Sequence, residues 1–152
     1  MWPFCRERPN RPNSPRRVLL MFREVSTCDP TIFGPNRPLI GAHLREQDAI
    51  ATEALHPGFG VHWIDFDITE DPGTPAQPFV WVAVKADKLH ERPEDDTDPV
   101  KVFGTLESGR AWIATSARHG HLHRLWRVPL GQADPEYPVW TDETNGSLAH
   151  EP

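Results

Sequence analysis

Proline and glycine set the first limit on what this chain can become. With 17 Pro and 10 Gly among 152 residues, more than one residue in six interrupts regular backbone. Proline has no N–H to give a helix or a ladder, and glycine raises the entropy cost of ordering either. Uninterrupted elements must therefore be short, which disfavours a long-helix bundle and favours short strands with irregular connections. The length suits one domain, whose core can hold without a metal or a disulfide. Hydrophobic residues make up only 38%, but six Trp and seven Phe supply large apolar units for that core.

Periodicity predicts where the elements lie. Residues 17–25 are apolar and β-rich and read as a first strand, followed by a loop from Ser26 to Pro38. Ile40, Leu44, Ala51 and Leu55 fall near one helical face, which predicts a helix over 40–55 ended by His56-Pro57-Gly58. From Gly60 to Thr69 the period becomes two, with His62, Ile64, Phe66 and Ile68 on one face and Trp63, Asp65, Asp67 and Thr69 on the other. Phe79 to Lys85 is nearly all apolar and reads as a strand covered on both sides. Residues 87–98 hold six acids and read as an exposed loop. Val100–Leu106 and Arg110–Ala117 read as two strands of a hairpin turning at Glu107-Ser108-Gly109, and His121–Val128 as the last strand. No internal repeat is visible.

The fold class these segments predict is α+β: a mostly antiparallel sheet of about five to six strands with one main helix on one face. The expected organisation is a disordered, Pro/Arg-rich basic leader over 1–16, one domain over 17–140 and a flexible tail over 141–152.

The formal charge of −6 hides an asymmetry. Residues 1–25 carry six Arg against two Glu, whereas the remainder carries 10 basic and 20 acidic residues. A basic arm on an acidic body can serve as a binding tail, although its prolines equally suit a solvated leader. Arg16-Arg17 followed by Val18 to Phe22 has the outline of an export signal, but the apolar run ends before Arg23-Glu24. No run approaches a membrane span, so the expectation is a cytoplasmic protein with no membrane partner. Cys5 and Cys28 have no metal or redox spacing and read as two free thiols.

Two polar clusters stand out. In a strand, residues two apart share a face at roughly 6.7 Å, so His121 and His123, with His119, could meet one divalent metal ion or act as acid–base groups. In spacing, His119-x-His121-x-His123 resembles the histidine-triad nucleotide hydrolases. That resemblance covers five residues, with Arg124 standing where that family is apolar. Asp65 and Asp67, on one face of their strand, form the second cluster and could share a divalent cation, or simply form the wet side of an amphipathic strand. No cofactor is required by the sequence.

Around the histidines, Ser108 to Ala133 holds four Arg, three His and two Trp without one acid. The glycine-rich phosphate loop, the nucleophile elbow and the zinc-protease signature are all missing from the chain. The favoured reading is therefore a non-enzymatic accessory or inhibitory protein. It would dock on a macromolecular partner, an acidic protein surface for preference, through Arg118, His121, His123, Arg124, Trp126 and Arg127. The alternative is a metal-assisted or histidine-based enzyme for a phosphate-bearing substrate. Nucleic-acid binding comes third, because the acidic body opposes it.

Overall fold

A computed structural model describes residues 16–24, 38–71, 73–86, 98–139 and 141–144. The expected leader up to residue 15, the loop before Pro38, the acidic run 87–97 and the tail beyond Thr144 lie outside the described residues, as do Cys5, Cys28 and Trp140. Arg16, the last residue of the expected leader, is described and pairs with Glu70.

The described residues form seven strands and two helices: β1 (Arg17–Phe22), β2 (Leu39–His43), α1 (Glu46–Leu55), β3 (His62–Thr69), β4 (Phe79–Lys85), β5 (Pro99–Phe103), α2 (Leu106–Arg118), β6 (His123–Pro129) and β7 (Gln132–Ala133). One sheet runs in the order β6-β4-β5-β3-β1-β2-β7. The α+β class stands. The sheet is mixed, since β3 and β5 run parallel while the other pairs are antiparallel, and there are two helices where one was expected.

Two segments depart from the sequence reading. Residues 39–43 are a strand, not the start of a helix, because Leu39, Ile40 and Ala42 are buried within the sheet. α1 consequently turns Ala49 and Thr52 inward and leaves Leu55 exposed, as is Leu44 in the bend before it. The second departure is larger: 106–118 is a helix, so the expected hairpin does not form. Thr105 caps it by accepting the Ser108 N–H, which stabilises an α start at the place read as a turn. Gly109 lies in its first turn, where an added Cβ would stand 3.1–3.2 Å from the Leu125 methyls. Here glycine permits a close helix–sheet approach rather than a turn.

The two halves of the chain repeat one unit, strand–strand–helix–strand. In each, the first strand is central and pairs antiparallel with the other two. Leu20 lies opposite Ala42 on β2 and Ile64 on β3, and Val82 lies opposite Val102 on β5 and Trp126 on β6. A shift of 62 positions carries β1 to β4 and β3 to β6, and one of 60 carries β2-α1 to β5-α2. The same shifts relate the seams. Ile68 pairs with Val102 in the parallel β3–β5 seam, and Leu130, just past β6, makes a parallel bridge to Ala42 of β2. The sheet thus curls until its two ends meet, as a pseudo-two-fold barrel.

Hydrophobic burial follows from that plan. Val18, Leu20 and Phe22 of β1 meet Val80, Val82 and Val84 of β4 inside, with Ile68, Val102, Trp126 and Val128. Outside, α1 covers Leu19, Met21 and Ile40 through Ala49, and α2 covers Trp81, Ala83, Phe103 and Leu125 through Ile113. β1, β2, β4 and β6 are buried on both faces along much of their length, so near-continuous apolar runs such as Phe79–Val84 are what these positions require. β3, by contrast, is largely exposed on one face.

Candidate functional site

The site is built at the seam where the barrel closes. After β6 the chain turns at Gly131 and runs back along β2, held by backbone bonds from Gly131 N–H to Ala42 O (2.8 Å), Asp134 N–H to Ile40 O (3.2 Å) and Val139 N–H to Leu39 O (2.8 Å). Asp134 Oδ1 accepts the Glu136 N–H at 2.9 Å and fixes the turn. Between this segment, β2, α1 and the ends of β4 and β6 lies a cleft of about 720 Å³. Its walls include Phe79, Arg127, Tyr137 and Val139, with His43 and Thr52 among the residues lining it. That volume falls in the range of ordinary ligand-binding clefts.

His43 is nearly buried and its Nε2 lies 2.9 Å from Thr52 Oγ1. The Thr52 hydroxyl spends its one proton on Asp48 O at 3.1 Å, so it must accept from His43. The imidazole is therefore the Nε2–H tautomer, with Nδ1 left as an acceptor. Burial pushes its pKa below the usual imidazole value, against a smaller upward pull from Asp48.

The cationic group of the cleft is Arg127. Its guanidinium lies 4.7 Å from the centre of the Phe79 ring and 3.8 Å from Glu143. Arg110 reaches the same Glu143 carboxylate at 3.3 Å. Two guanidiniums sharing one carboxylate leave a local positive excess beside the cleft.

A second cavity, about 480 Å³, lies against the outer face of β1 and β3 and is lined by Arg16, Arg17, Trp63 and Asp65 among others. Here the charges are matched: Arg17 pairs with Asp65, and Arg16 with Glu70 at 2.9 Å.

The residues singled out from sequence are dispersed. Arg118 and His119 end α2, exposed, and both bond to Thr115. His121 is exposed in the turn that follows. His123 is buried beneath Trp112, ring centres 4.7 Å apart, and its Nδ1 has no hydrogen-bond partner. Burial first, and then the charges of His121 and Lys85, push its pKa down. Arg124 and Trp126 point to the other side of β6. Arg124 is buried and paired with Asp142 at 2.7 Å, and Trp126 is buried in the barrel interior. Asp65 holds Arg17, and Asp67 lies opposite Arg17 in the β1–β3 register. Among the described residues, no group of three or more His, Cys, Asp or Glu is arranged to hold a metal ion.

Of the expected docking set, Arg127 alone lines the larger cleft. Sequence reading passed over His43, Thr52, Phe79 and Tyr137, since His43 sat in a presumed helix and Thr52 in its polar filling. What marks them is the repeat in the structure, which the sequence does not display: sixty positions on, His43 and Thr52 correspond to Phe103 and Trp112, an aromatic pair at 5.8 Å. No protein-family model matches the sequence, and no curated protein or solved structure matches it at a significant level.

Proposed function

We propose that this chain is a non-enzymatic docking protein and that the cleft at the β2–β6 seam holds its macromolecular partner. The observation that carries the reading is Arg127, a half-exposed guanidinium stacked on Phe79 at the cleft wall and sharing its carboxylate with Arg110. Arg and Tyr are the residue types that dominate interface energetics, and Tyr137 stands 73% exposed on the same cleft. Ile40, Pro129 and Val139 add apolar wall. The docking set moves accordingly from a hairpin to this cleft, because Arg124 and Trp126 spend their side chains on the barrel.

Arg127→Ala in the full chain tests the reading better than charge reversal, which would set a second carboxylate beside Glu143. A photo-crosslinker at position 137, used in the source cell, should trap a discrete partner. Removing an Arg anchor costs about 2 kcal/mol, roughly thirty-fold in affinity, so Arg127→Ala should remove most of the crosslink while the melting midpoint barely moves. A crosslink that survives Arg127→Ala unchanged would take the cleft out of the account.

A further inference from the structure

We infer that the partner's contacting segment is an extended acidic peptide, its carboxylate on Arg127 and one of its main-chain N–H groups donated to His43 Nδ1. This rests on the docking reading above and gives the cleft its ligand chemistry.

The first support is the fixed tautomer. Thr52 commits His43 Nε2 as donor, so Nδ1 of a cleft-lining imidazole is an acceptor with no bond from any described group. An acceptor beside a cation selects ligands that carry an anionic group and a donor together. Every peptide presents N–H donors along its length, and Asp, Glu or a C-terminus supplies the carboxylate. The phosphate groups of a nucleic acid offer acceptor oxygens only, which would face the imidazole lone pair, and in DNA the backbone carries no donor at all.

The second support is the repeat itself. In the other half the corresponding residues, Phe103 and Trp112, meet ring against ring in the apolar cluster that packs α2 on β4, β5 and β6. His43 and Thr52 replace that apolar pair by a smaller polar one, and a cleft of about 720 Å³ lies there. A duplicated scaffold that packs two rings between helix and sheet in one half and sets a hydrogen-bonding pair beside a cleft in the other has the asymmetry expected of a ligand site.

The third support is charge. The Arg110–Glu143–Arg127 group is locally positive on a body that is otherwise acidic. Asp134 also lines the cleft and keeps its negative charge while its Oδ1 accepts the Glu136 N–H, so the positive excess belongs to the Arg127 end of the cleft. A lone positive position orients a short acidic segment, whereas the acidic body repels long polyanions.

The test is a titration of the isotope-labelled full chain, followed by NMR, with a capped penta-glutamate peptide at millimolar concentrations. Shifts should cluster at residues 40–43 and 127–139. Arg127→Ala should weaken binding roughly thirty-fold. Depsipeptides in which esters replace amides one at a time should lose about tenfold at a single position, where the N–H donor is removed. The paired change His43→Phe, Thr52→Trp, copied from the second half, should fill the cleft and abolish the shifts. The ester series needs no protein variant and so decides the matter even if the paired change fails to fold. Penta-glutamate binding that responds to Arg127→Ala but to no ester would overturn the role of His43 and leave the docking reading standing. Absence of any shift, or displacement of the peptide by a mixed-sequence oligonucleotide that binds more tightly, would overturn the acidic-peptide assignment. The crosslinking result would still judge the docking reading by itself.

Discussion

Single residues in this fold carry opposite demands on protonation and space. His43 and His123 are both held below the ordinary imidazole pKa, first by burial, so the folded protein favours their neutral forms. Asp48 opposes the effect at His43, and Arg127, Asp134 and Tyr137 share its cleft; Lys85 and His121 reinforce it at His123 beneath Trp112. A base whose folded pKa is depressed binds fewer protons folded than unfolded, so stability is full above about pH 6.5 and falls as the pH drops through that value. Urea unfolding followed from pH 8 to pH 5 should show this fall. His123→Phe should flatten part of it, since Phe keeps the stacking on Trp112 and removes a buried nitrogen without a partner. A midpoint equally pH-dependent in wild type and variant would remove His123 from the explanation. Space dominates at Gly41, where φ is +150° and a Cβ would collide with the backbone of Gln132 and Ala133. Gly41→Ala should therefore cost at least about 2 kcal/mol, well beyond a change of intrinsic propensity, read from the urea midpoint.

Among the elements, the two helices show how far local signals reach. α2 has a side-chain cap from Thr105, and α1 begins at Arg45, which offers none and instead pairs with Asp48 at 3.1 Å. Thr105→Ala should cost about 1 kcal/mol, whereas Arg45→Ser should gain a few tenths, a cap replacing an exposed ion pair. Thermal midpoints moving in the same direction for both would refute the capping account. Much of the strand pattern was legible: the inward Phe66 and Ile68 of β3, the apolar run 79–85 and the split of β6 into a Trp126/Val128 face and a His123/Arg127 face all recur. The alternation over β3 holds only in part, since Ile64 is exposed and Trp63 packs against the outer cluster. The α2 segment was not, because Trp112, Ile113 and Thr115 are good strand formers and Ser108-Gly109 resembles a turn. Its helical evidence was the Thr105 cap and the four-residue spacing of Gly109 and Ile113, the two residues α2 buries. Leu39 to Ala42 misled in the other direction. A short strand buried on both faces has no alternation to distinguish it from a helix turn.

At the scale of the molecule, the repeat explains why the site was the least legible part. The two units share register and element order while their facing residues differ, so His43 against Phe103 and Thr52 against Trp112 become comparable only once the barrel is known. The same architecture decides how the protein should unfold. Each helix packs on its own unit, but the interior belongs to both, with Leu20 of the first and Val82 and Trp126 of the second in one cluster. Neither unit can keep its inner face from water once the other leaves, so the two halves should unfold together. Fluorine-labelled tryptophan makes this measurable, since Trp63 reports on β3 in the first unit and Trp112 on α2 in the second. Both resonances should convert at one urea midpoint. Trp126→Ala removes a large interior side chain, and a cost of about 3–5 kcal/mol is expected for such a truncation. Because Trp126 lies in the second unit, a local effect would shift Trp112 and spare Trp63. A shared interior requires instead that both midpoints fall by the same amount. Separate transitions would mean that the halves are independent domains and that the parallel seams contribute little.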